Sequence, residues 1–181
     1  MHLLTASCIL CLSFTATSLQ AGESLPRSAA DAKRDISSKP FEVLDFFGVE
    51  PGWKVIDLFA GNGYYSEALA HRVGPSGKVY LHNNLAYMNF ADNLNARIAG
   101  DRLPNVEVYI REIDNFDLPA GSLDMAILVK SYHDVYFVQD GWNVTVGPLF
   151  DAVHHILKPG GVLAIIDHHA EAGSGKAAAQ D

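Results

Sequence analysis

The stretch VIDLFAGNGYYSEALA, residues 55–70, decides the fold. It begins as an apolar run, turns through Gly61-Asn62-Gly63 and continues with a helical pattern. A buried strand that turns through glycines into a helix is typical of a parallel α/β unit, and the helix N-terminus favours a bound anion. Because glycine has no Cβ, Gly61 and Gly63 allow backbone N–H groups to approach a ligand closely. The alternative is that both glycines only make a tight turn.

The same alternation continues along the chain. Apolar runs that predict strands are GKVYLH at 77–82, NVEVYI at 105–110, LDMAILV at 123–129 and VLAIID at 162–167. Helical patterns lie between them, notably over 85–99 and from Pro148 onwards. Strands that are apolar on both faces and alternate with helices predict an α/β fold with a parallel sheet covered by helices on both faces. We assign this domain to residues 39–169.

The N-terminal segment predicts a targeting signal. Residues 1–21 are apolar, end in small and polar residues, and are too short and too rich in Ser and Thr for a membrane span. We expect a secretory signal peptide and a periplasmic or secreted protein without stable membrane insertion, with a cytoplasmic location as the alternative. Both cysteines, Cys8 and Cys11, lie in this segment, so the cleaved chain would contain no disulfide.

The remaining terminal segments are polar. We expect residues 22–38 to form an exposed lead-in to the domain, and residues 170–181 to form a flexible tail or the start of a truncated helix. The formal net charge is −8, and the only adjacent basic pair is Lys33-Arg34. A chain without a basic stripe is a poor partner for nucleic acid.

The residues around the glycine loop discriminate between cofactors. A dinucleotide-binding loop needs a third small residue for close helix packing and an acid at the end of the second strand. Ser66 occupies the first of these positions and Asn83 the second, whereas an acid, Asp57, precedes the glycines. A nicotinamide-dependent oxidoreductase is therefore supported only by Gly61 and Gly63.

The arrangement VIDLFAGNG resembles the first motif of class I S-adenosylmethionine-dependent methyltransferases, a strand that runs into D-x-F-x-G-x-G. The resemblance extends over residues 41–167, because GKVYLHN, DNFDLPAGSLDMAILV and ILKPGGVLAIID are similar to later motifs of the family in the same order. With SYHD at 131–134, the chain is most similar to predicted bacterial methyltransferases that often carry signal peptides. The resemblance implies a Rossmann-like fold whose C-terminal strands are missing here, S-adenosylmethionine as cofactor and a small-molecule acceptor.

The resemblance also implies roles for particular residues. The glycines would face the methionine end of the cofactor, Asp57 would hold the loop and bind the ammonium group, and Asp114 would contact the adenine amino group. Phe59 and Tyr65 would close the pocket. Asn83 stands where the family usually has an acid that accepts both ribose hydroxyls. The cofactor-binding candidates are thus Asp57, Phe59, Gly61, Gly63, Tyr65, Asn83, Asp114 and Lys130.

The catalytic candidates follow the fourth strand. Methyl transfer is a direct displacement that needs a base only if the acceptor carries a proton. Tyr132, His133 and Asp134 reach the sheet edge there, with His133 as the base and Asp134 as the residue that orients either His133 or the acceptor. The alternative is that His133 only caps the strand. Aromatic residues nearby, among them Tyr136, either line an acceptor pocket or pack on the core.

Two further alternatives remain open. His168 and His169 follow the fifth strand at the same edge, so a metal site there is one alternative. Adjacent strand residues point to opposite faces, and we predict no metal site. A non-catalytic protein that binds S-adenosylmethionine or a nucleoside is the second function, because Asn83 weakens the expected ribose site.

Overall fold

The computed structural model describes residues 27–137 and 141–179. The predicted signal peptide at residues 1–21 lies outside the described residues. Within the described ranges, no helix combines the length and the apolar character that a membrane crossing requires.

The sheet consists of five parallel strands in the order β3-β2-β1-β4-β5. The strands are β1 Lys54–Leu58, β2 Lys78–Asn83, β3 Val106–Ile110, β4 Leu123–Val129 and β5 Leu157–Ile166. Each predicted strand is present, but β5 begins earlier than predicted. Leu157 already pairs with Leu123, and pairing resumes only at Val162 opposite Met125. Residues 158–161 therefore form an irregularity within the strand.

Five α-helices accompany the sheet in the described part of the chain: α1 Ala29–Ser38, α2 Pro40–Phe46, α3 Tyr64–Val73, α4 Leu94–Ile98 and α5 Val146–Ile156. The prediction of one continuous helix over 85–99 is wrong. A 3-10 helix, Tyr87–Phe90, and the short α4 replace it. The Asn84 side chain accepts a hydrogen bond from the Tyr87 N–H at 2.9 Å just before the 3-10 helix begins.

The core lies on both faces of the sheet. Val55, Met125 and Ile127 pack with α2 and α3 on one face. Ile56 and Leu128, their neighbours along the strands, pack with α5 on the other face. Successive strand residues point to opposite faces, so strands that are apolar throughout need helices on both sides. The predicted α/β architecture is confirmed.

Part of the predicted lead-in, residues 29–38, is helical. Residues 29–38 form α1, which begins where the Ser28 hydroxyl accepts the Asp31 N–H at 3.1 Å. Asp31 is buried and pairs with Arg97 of α4 at 2.9 Å. Most of α1 is exposed, so its polar sequence gave no apolar stripe to recognise. Ion pairs rather than apolar packing hold the helix in place.

Candidate functional site

The strand order places the predicted site residues at one edge of the sheet. β1 pairs with β2 on one side and with β4 on the other, so the order reverses at β1. The loops that follow β1 and β4 carry the glycines and the Tyr132-His133-Asp134 segment, respectively. Ligands of open α/β sheets bind in the crevice at such a reversal, outside the carboxyl ends of the strands.

Both glycines have backbone conformations that suit glycine. Gly61 has φ +56° and Gly63 has φ +79°, and Gly63 is the N-cap of α3. A Cβ on Gly63 would lie 2.5 Å from a methyl group of Leu81, and one on Gly61 would lie 3.2 Å from the Phe90 carbonyl oxygen. The turn-making role is therefore present in the structure. The approach of a ligand to the loop stays a prediction.

The Asn83 side chain hydrogen-bonds to the glycine loop. Its Oδ1 accepts the Gly61 N–H at 2.8 Å, and its Nδ2 donates to the Gly61 carbonyl oxygen at 2.9 Å. The residue has no exposed surface. Both ends of the Asn83 amide thus have hydrogen-bond partners inside the protein. The family resemblance implies a ribose contact at this position.

Asp57 ties the end of β1 to the first turn of α3. Its carboxylate accepts the Ser66 hydroxyl at 2.6 Å and is almost completely buried. Burial raises the pKa of Asp57 to about 7, although hydrogen bonds from the Ser66 side chain and backbone oppose the rise. Burial therefore favours the protonated form of Asp57 more than it would for an exposed aspartate.

Phe59 and Tyr65 pack in different parts of the core. Phe59 packs on the α5 side of the sheet, with its ring 5.0 Å from that of Trp142. Tyr65 packs on the α3 side, where its hydroxyl donates to the Ser38 carbonyl oxygen at 3.4 Å. Both rings are buried. The two rings lie on opposite faces of the sheet, and their closing of a cofactor pocket stays a prediction.

His82 supports the loop and was missed by sequence reasoning. Its Nε2 lies 2.9 Å from the Arg111 carbonyl oxygen, and its Nδ1 lies 3.4 Å from the Phe59 backbone nitrogen. Burial lowers the pKa of His82 to about 4, so the ring is neutral and donates from Nε2 while Nδ1 accepts. A histidine within an otherwise apolar strand is the signal that could have identified it.

His133 lies between two carboxylates. Its Nδ1 is 2.8 Å from Asp167 Oδ1, and its Nε2 is 3.3 Å from Asp134 Oδ1. The His133 backbone N–H also donates to Asp167 Oδ2 at 2.9 Å. Asp167, which directly follows β5, was not among the predicted site residues. The signal was available, because β5 lies beside β4 and its end reaches the same edge.

Asp167 is built to remain ionised. Burial by itself would raise the pKa of this carboxyl, but hydrogen bonds from the His168 backbone and from His133 outweigh burial and lower it. A carboxylate that is charged and fixed by backbone donors holds the His133 ring in one orientation.

Asp134 connects the two halves of the edge. Its Oδ2 accepts the Tyr87 hydroxyl at 2.9 Å, and its backbone carbonyl accepts the Trp142 ring N–H at 2.6 Å. Burial raises the pKa of Tyr87, and the Asp134 charge adds to the rise, so Tyr87 remains a phenol. The segment after β2 is thereby linked to the segment after β4.

A cavity of about 990 Å³ opens beside His133. Tyr132, Tyr136 and Phe137 line one part of it, and Trp142 instead packs in the core against Phe59. The Tyr132 ring stacks on Phe150, and its hydroxyl is 2.9 Å from that of Tyr136. The remaining lining residues come from the end of β5 and the tail: Asp167, His168, His169, Ala170, Glu171, Ser174, Gly175, Ala178 and Ala179.

The tail forms part of the site. The described part of residues 170–181 contains a 3-10 helix, Gly175–Ala179, which contacts the 3-10 helix His133–Tyr136. His168 approaches His133 with ring centres 5.6 Å apart. Within residues 27–137 and 141–179, no three histidine, cysteine or acidic side chains are grouped to hold a metal ion.

Lys130 and Asp114 lie at the same edge with exposed side chains. Lys130 has φ +58°, and its backbone N–H donates to the Ile166 carbonyl oxygen at 2.7 Å. Asp114 belongs to the 3-10 helix Ile113–Asn115, which follows β3. Both are available to a ligand, and their contact with one stays a prediction.

Comparison with known proteins places this geometry in a family. A family model described as a methyltransferase domain matches residues 49–180. A ubiquinone/menaquinone biosynthesis C-methyltransferase of Hydrogenovibrio crunogenus is 29% identical over 126 residues, which is 68% of this chain and 45% of that protein. The chain thus spans less than half the length of this curated relative.

Solved structures agree with the family match. A SAM-dependent methyltransferase from Aquifex aeolicus superimposes with a TM-score of 0.59 at 26% identity, covering 82% of this chain and 78% of that one. A phosphoethanolamine N-methyltransferase from Haemonchus contortus, solved with S-adenosyl-L-methionine, has a TM-score of 0.56 at 17% identity, covers 80% of this chain and 32% of that one, and shows the fold alone. The family match, the sheet order and the glycine loop agree, and the chain belongs to the class I S-adenosylmethionine-dependent methyltransferases.

Proposed function

We propose that this chain binds S-adenosylmethionine at the edge formed by β1, β2 and β3 and transfers its methyl group to a small-molecule acceptor in the cavity beside His133. The observation that carries the proposal is the position of His133, which is fixed by Asp167 and faces Asp134 at the wall of that cavity. The family match and the solved relatives support the cofactor.

The residues at the edge fit the cofactor chemically. The N-terminus of the ten-residue helix α3 suits the methionine carboxylate. Leu85, 73% exposed after β2, offers apolar surface to the adenine ring, and the exposed Asp114 offers an acceptor for its amino group. S-adenosylmethionine, when bound, supplies an electrophilic methyl group on a sulfonium.

His133 has the arrangement of a general base. The short contact between Nδ1 and the Asp167 carboxylate assigns the proton of the neutral ring to Nδ1. Nε2 then carries the lone pair that can take a proton from the acceptor. Asp134, at 3.3 Å from Nε2, stabilises the charge that His133 gains. Asp167 is a positioning residue in this scheme.

The cavity lining indicates the class of acceptor. Asp134, Asp167 and Glu171 are acidic, and the described lining residues include no lysine or arginine. Lys176 is close, but its ammonium group lies over the Tyr136 ring, 5.6 Å from the centre. Carboxylates repel an anionic acceptor, and the aromatic lining favours a ring. An uncharged aromatic hydroxyl compound agrees best with this lining and with a base at His133.

The competing function is cofactor binding without catalysis. The observation that favours it is Asn83, whose buried and satisfied amide removes the usual ribose contact. The two functions differ in turnover and not in cofactor binding.

The test has two measurements on the purified chain. Calorimetry compares S-adenosylmethionine, S-adenosylhomocysteine and NAD, and transfer of a labelled methyl group is followed over a library of phenolic acceptors. We expect binding of the first two ligands and turnover on a phenol. Binding without turnover on any acceptor would support the non-catalytic alternative, and binding of NAD alone would contradict both.

A further inference from the structure

The carboxylate of Glu112 lies at the sheet edge where a ribose contact is needed. Glu112 follows β3, and β3 pairs with β2 so that Ile110 lies opposite Asn83. The Arg111 N–H donates to the Asn83 carbonyl oxygen at 3.1 Å, so the segments that follow β2 and β3 stay adjacent beyond the paired strands. Glu112 therefore reaches the edge one strand away from the position that the family usually gives to its ribose acid.

Local hydrogen bonds hold Glu112 against the segment after β2. One carboxylate oxygen accepts the Leu85 N–H at 3.1 Å, and the other lies 3.5 Å from Asn84 Nδ2. The side chain is only partly buried. Glu112 is thus oriented by the same segment that presents Leu85, and each carboxylate oxygen has a further lone pair that can accept a hydrogen bond.

Asn83 cannot take this role without releasing the glycine loop. Its amide both donates to and accepts from the Gly61 backbone, and a carboxylate could not donate. An aspartate there would place an oxygen against the Gly61 carbonyl oxygen in a site without solvent exposure. The structure thus explains why position 83 has an amide: its two hydrogen bonds to Gly61 hold the glycine loop, and we call this pair of bonds the loop clamp.

We propose that Glu112, and not Asn83, accepts the ribose hydroxyls of the bound cofactor. Neighbouring ribose hydroxyls are two donors side by side, and a carboxylate accepts two hydrogen bonds with its two oxygens. This inference rests on the proposed S-adenosylmethionine site. It identifies the binding residue that replaces the acid missing from β2.

The test measures binding of S-adenosylhomocysteine and of its 2′,3′-dideoxy analogue by calorimetry. Glu112→Gln keeps the shape and one acceptor for the Leu85 N–H but removes the charge. We expect this variant to bind S-adenosylhomocysteine about tenfold more weakly, because hydrogen bonds to charged groups are the stronger ones. The penalty for removing the ribose hydroxyls should be smaller in the variant than in the wild type.

The matched control is Glu107→Gln. Glu107 belongs to β3, the strand that precedes Glu112. It pairs with Lys78 at 3.0 Å, near the end of β2 that lies away from Asn83. This variant should bind both ligands as the wild type does. Equal loss in both variants would overturn the proposal, since it would show a general effect of charge.

The remaining outcomes separate this inference from the proposed function. A wild type that binds S-adenosylhomocysteine and its dideoxy analogue equally, or a Glu112→Gln variant with wild-type affinity, overturns the role of Glu112 and leaves the cofactor site intact. A wild type that binds neither ligand refutes the proposed function itself.

Asn83→Asp provides a second test that does not depend on the folding of the Glu112 variant. We expect a lower melting temperature and no gain in affinity, because the loop clamp is lost. Tighter binding of S-adenosylhomocysteine by Asn83→Asp would overturn the inference, since it would restore the family's usual contact.

Discussion

At the scale of single residues, His133 carries the proposed chemistry. His133→Asn removes the base but keeps a group that can donate to Asp167. We expect methyl transfer to a phenolic acceptor to fall by about 10²- to 10⁴-fold, the usual contribution of a general base. Binding of S-adenosylhomocysteine should remain unchanged, because the His133 ring belongs to the acceptor cavity. Wild-type turnover in the variant would contradict the role of His133 as a base.

Asp57 makes a prediction about pH. In the folded chain its pKa is about 7, whereas the ordinary value is 3.8. The stability that Asp57 contributes is therefore fully present below about pH 4 and is lost as the pH rises through about 7. Asp57→Asn has no such loss, so its free energy of unfolding relative to the wild type should rise between pH 4 and 8 by up to about 4 kcal/mol.

Urea unfolding of both proteins at several pH values measures this difference. A difference that stays constant from pH 4 to 8 would show that Asp57 is an ordinary ionised carboxylate despite its burial.

Sequence reasoning found part of the candidate site. The glycines, His133 and Asp134 could be predicted because their spacing after apolar runs places them at the carboxyl ends of strands. Asp167 and Glu112 lie at equivalent ends, but their importance depends on which strands are neighbours in the sheet. The amide clamp at Asn83 could not be foreseen, since it depends on the direction of one buried side chain.

At the scale of elements, strands were predictable and short helices were not. The central strands β1, β2 and β4 are largely buried on both faces and have nearly continuous apolar sequences, and the runs predicted for the edge strands β3 and β5 are strands as well. The segment over 85–99 is interrupted between Phe90 and Leu94, and α1 has a polar sequence held by ion pairs. Neither the interruption nor the ion pairs can be recognised from a periodic apolar pattern in the sequence.

The ion-pair network that fixes α1 gives a stability prediction. Arg97 pairs with Asp31 of α1 and with Glu67 of α3, and it donates to the Asn62 carbonyl oxygen at 2.7 Å. Glu67 is fully buried, and Arg102 contacts it as well at 2.7 Å. Arg97→Met should lower the free energy of unfolding by about 3 kcal/mol, because the buried Asp31 loses its arginine partner and Glu67 keeps only Arg102.

The control for Arg97→Met is Glu42→Gln, which removes an exposed pair with Lys39. We expect a change below about 1 kcal/mol in this control. Urea unfolding measures both variants. Similar small effects would show that the network does not hold α1 in place.

At the scale of the whole molecule, the proposed function gives the two halves of the sheet edge different tasks. The β1–β3 half carries the proposed cofactor residues, and the β4–β5 half carries His133, Asp167 and the cavity. The hydrogen bond between Tyr87 and Asp134 connects them. Cofactor bound at one half would therefore lie beside the acceptor at the other, which is the alignment that a direct displacement needs.

Export is a property of the whole chain that the sequence alone suggests. We propose that residues 1–21 are removed on secretion, so the mature chain begins at Gly22. Mass spectrometry of the protein recovered from the periplasm or the medium of an expressing bacterium checks this. Recovery of the intact chain, with Met1, from the cytoplasm would contradict export.

The central claim is that the sheet edge around the glycine loop is an S-adenosylmethionine site. The most direct measurement is a titration of the ¹⁵N-labelled chain with S-adenosylhomocysteine, followed by amide chemical shifts. We predict saturable shifts at Gly61, Gly63 and Glu112, with the amides of α1 unchanged. Absence of shifts at the glycine loop at saturating ligand, or shifts confined to other surfaces, would contradict the claim.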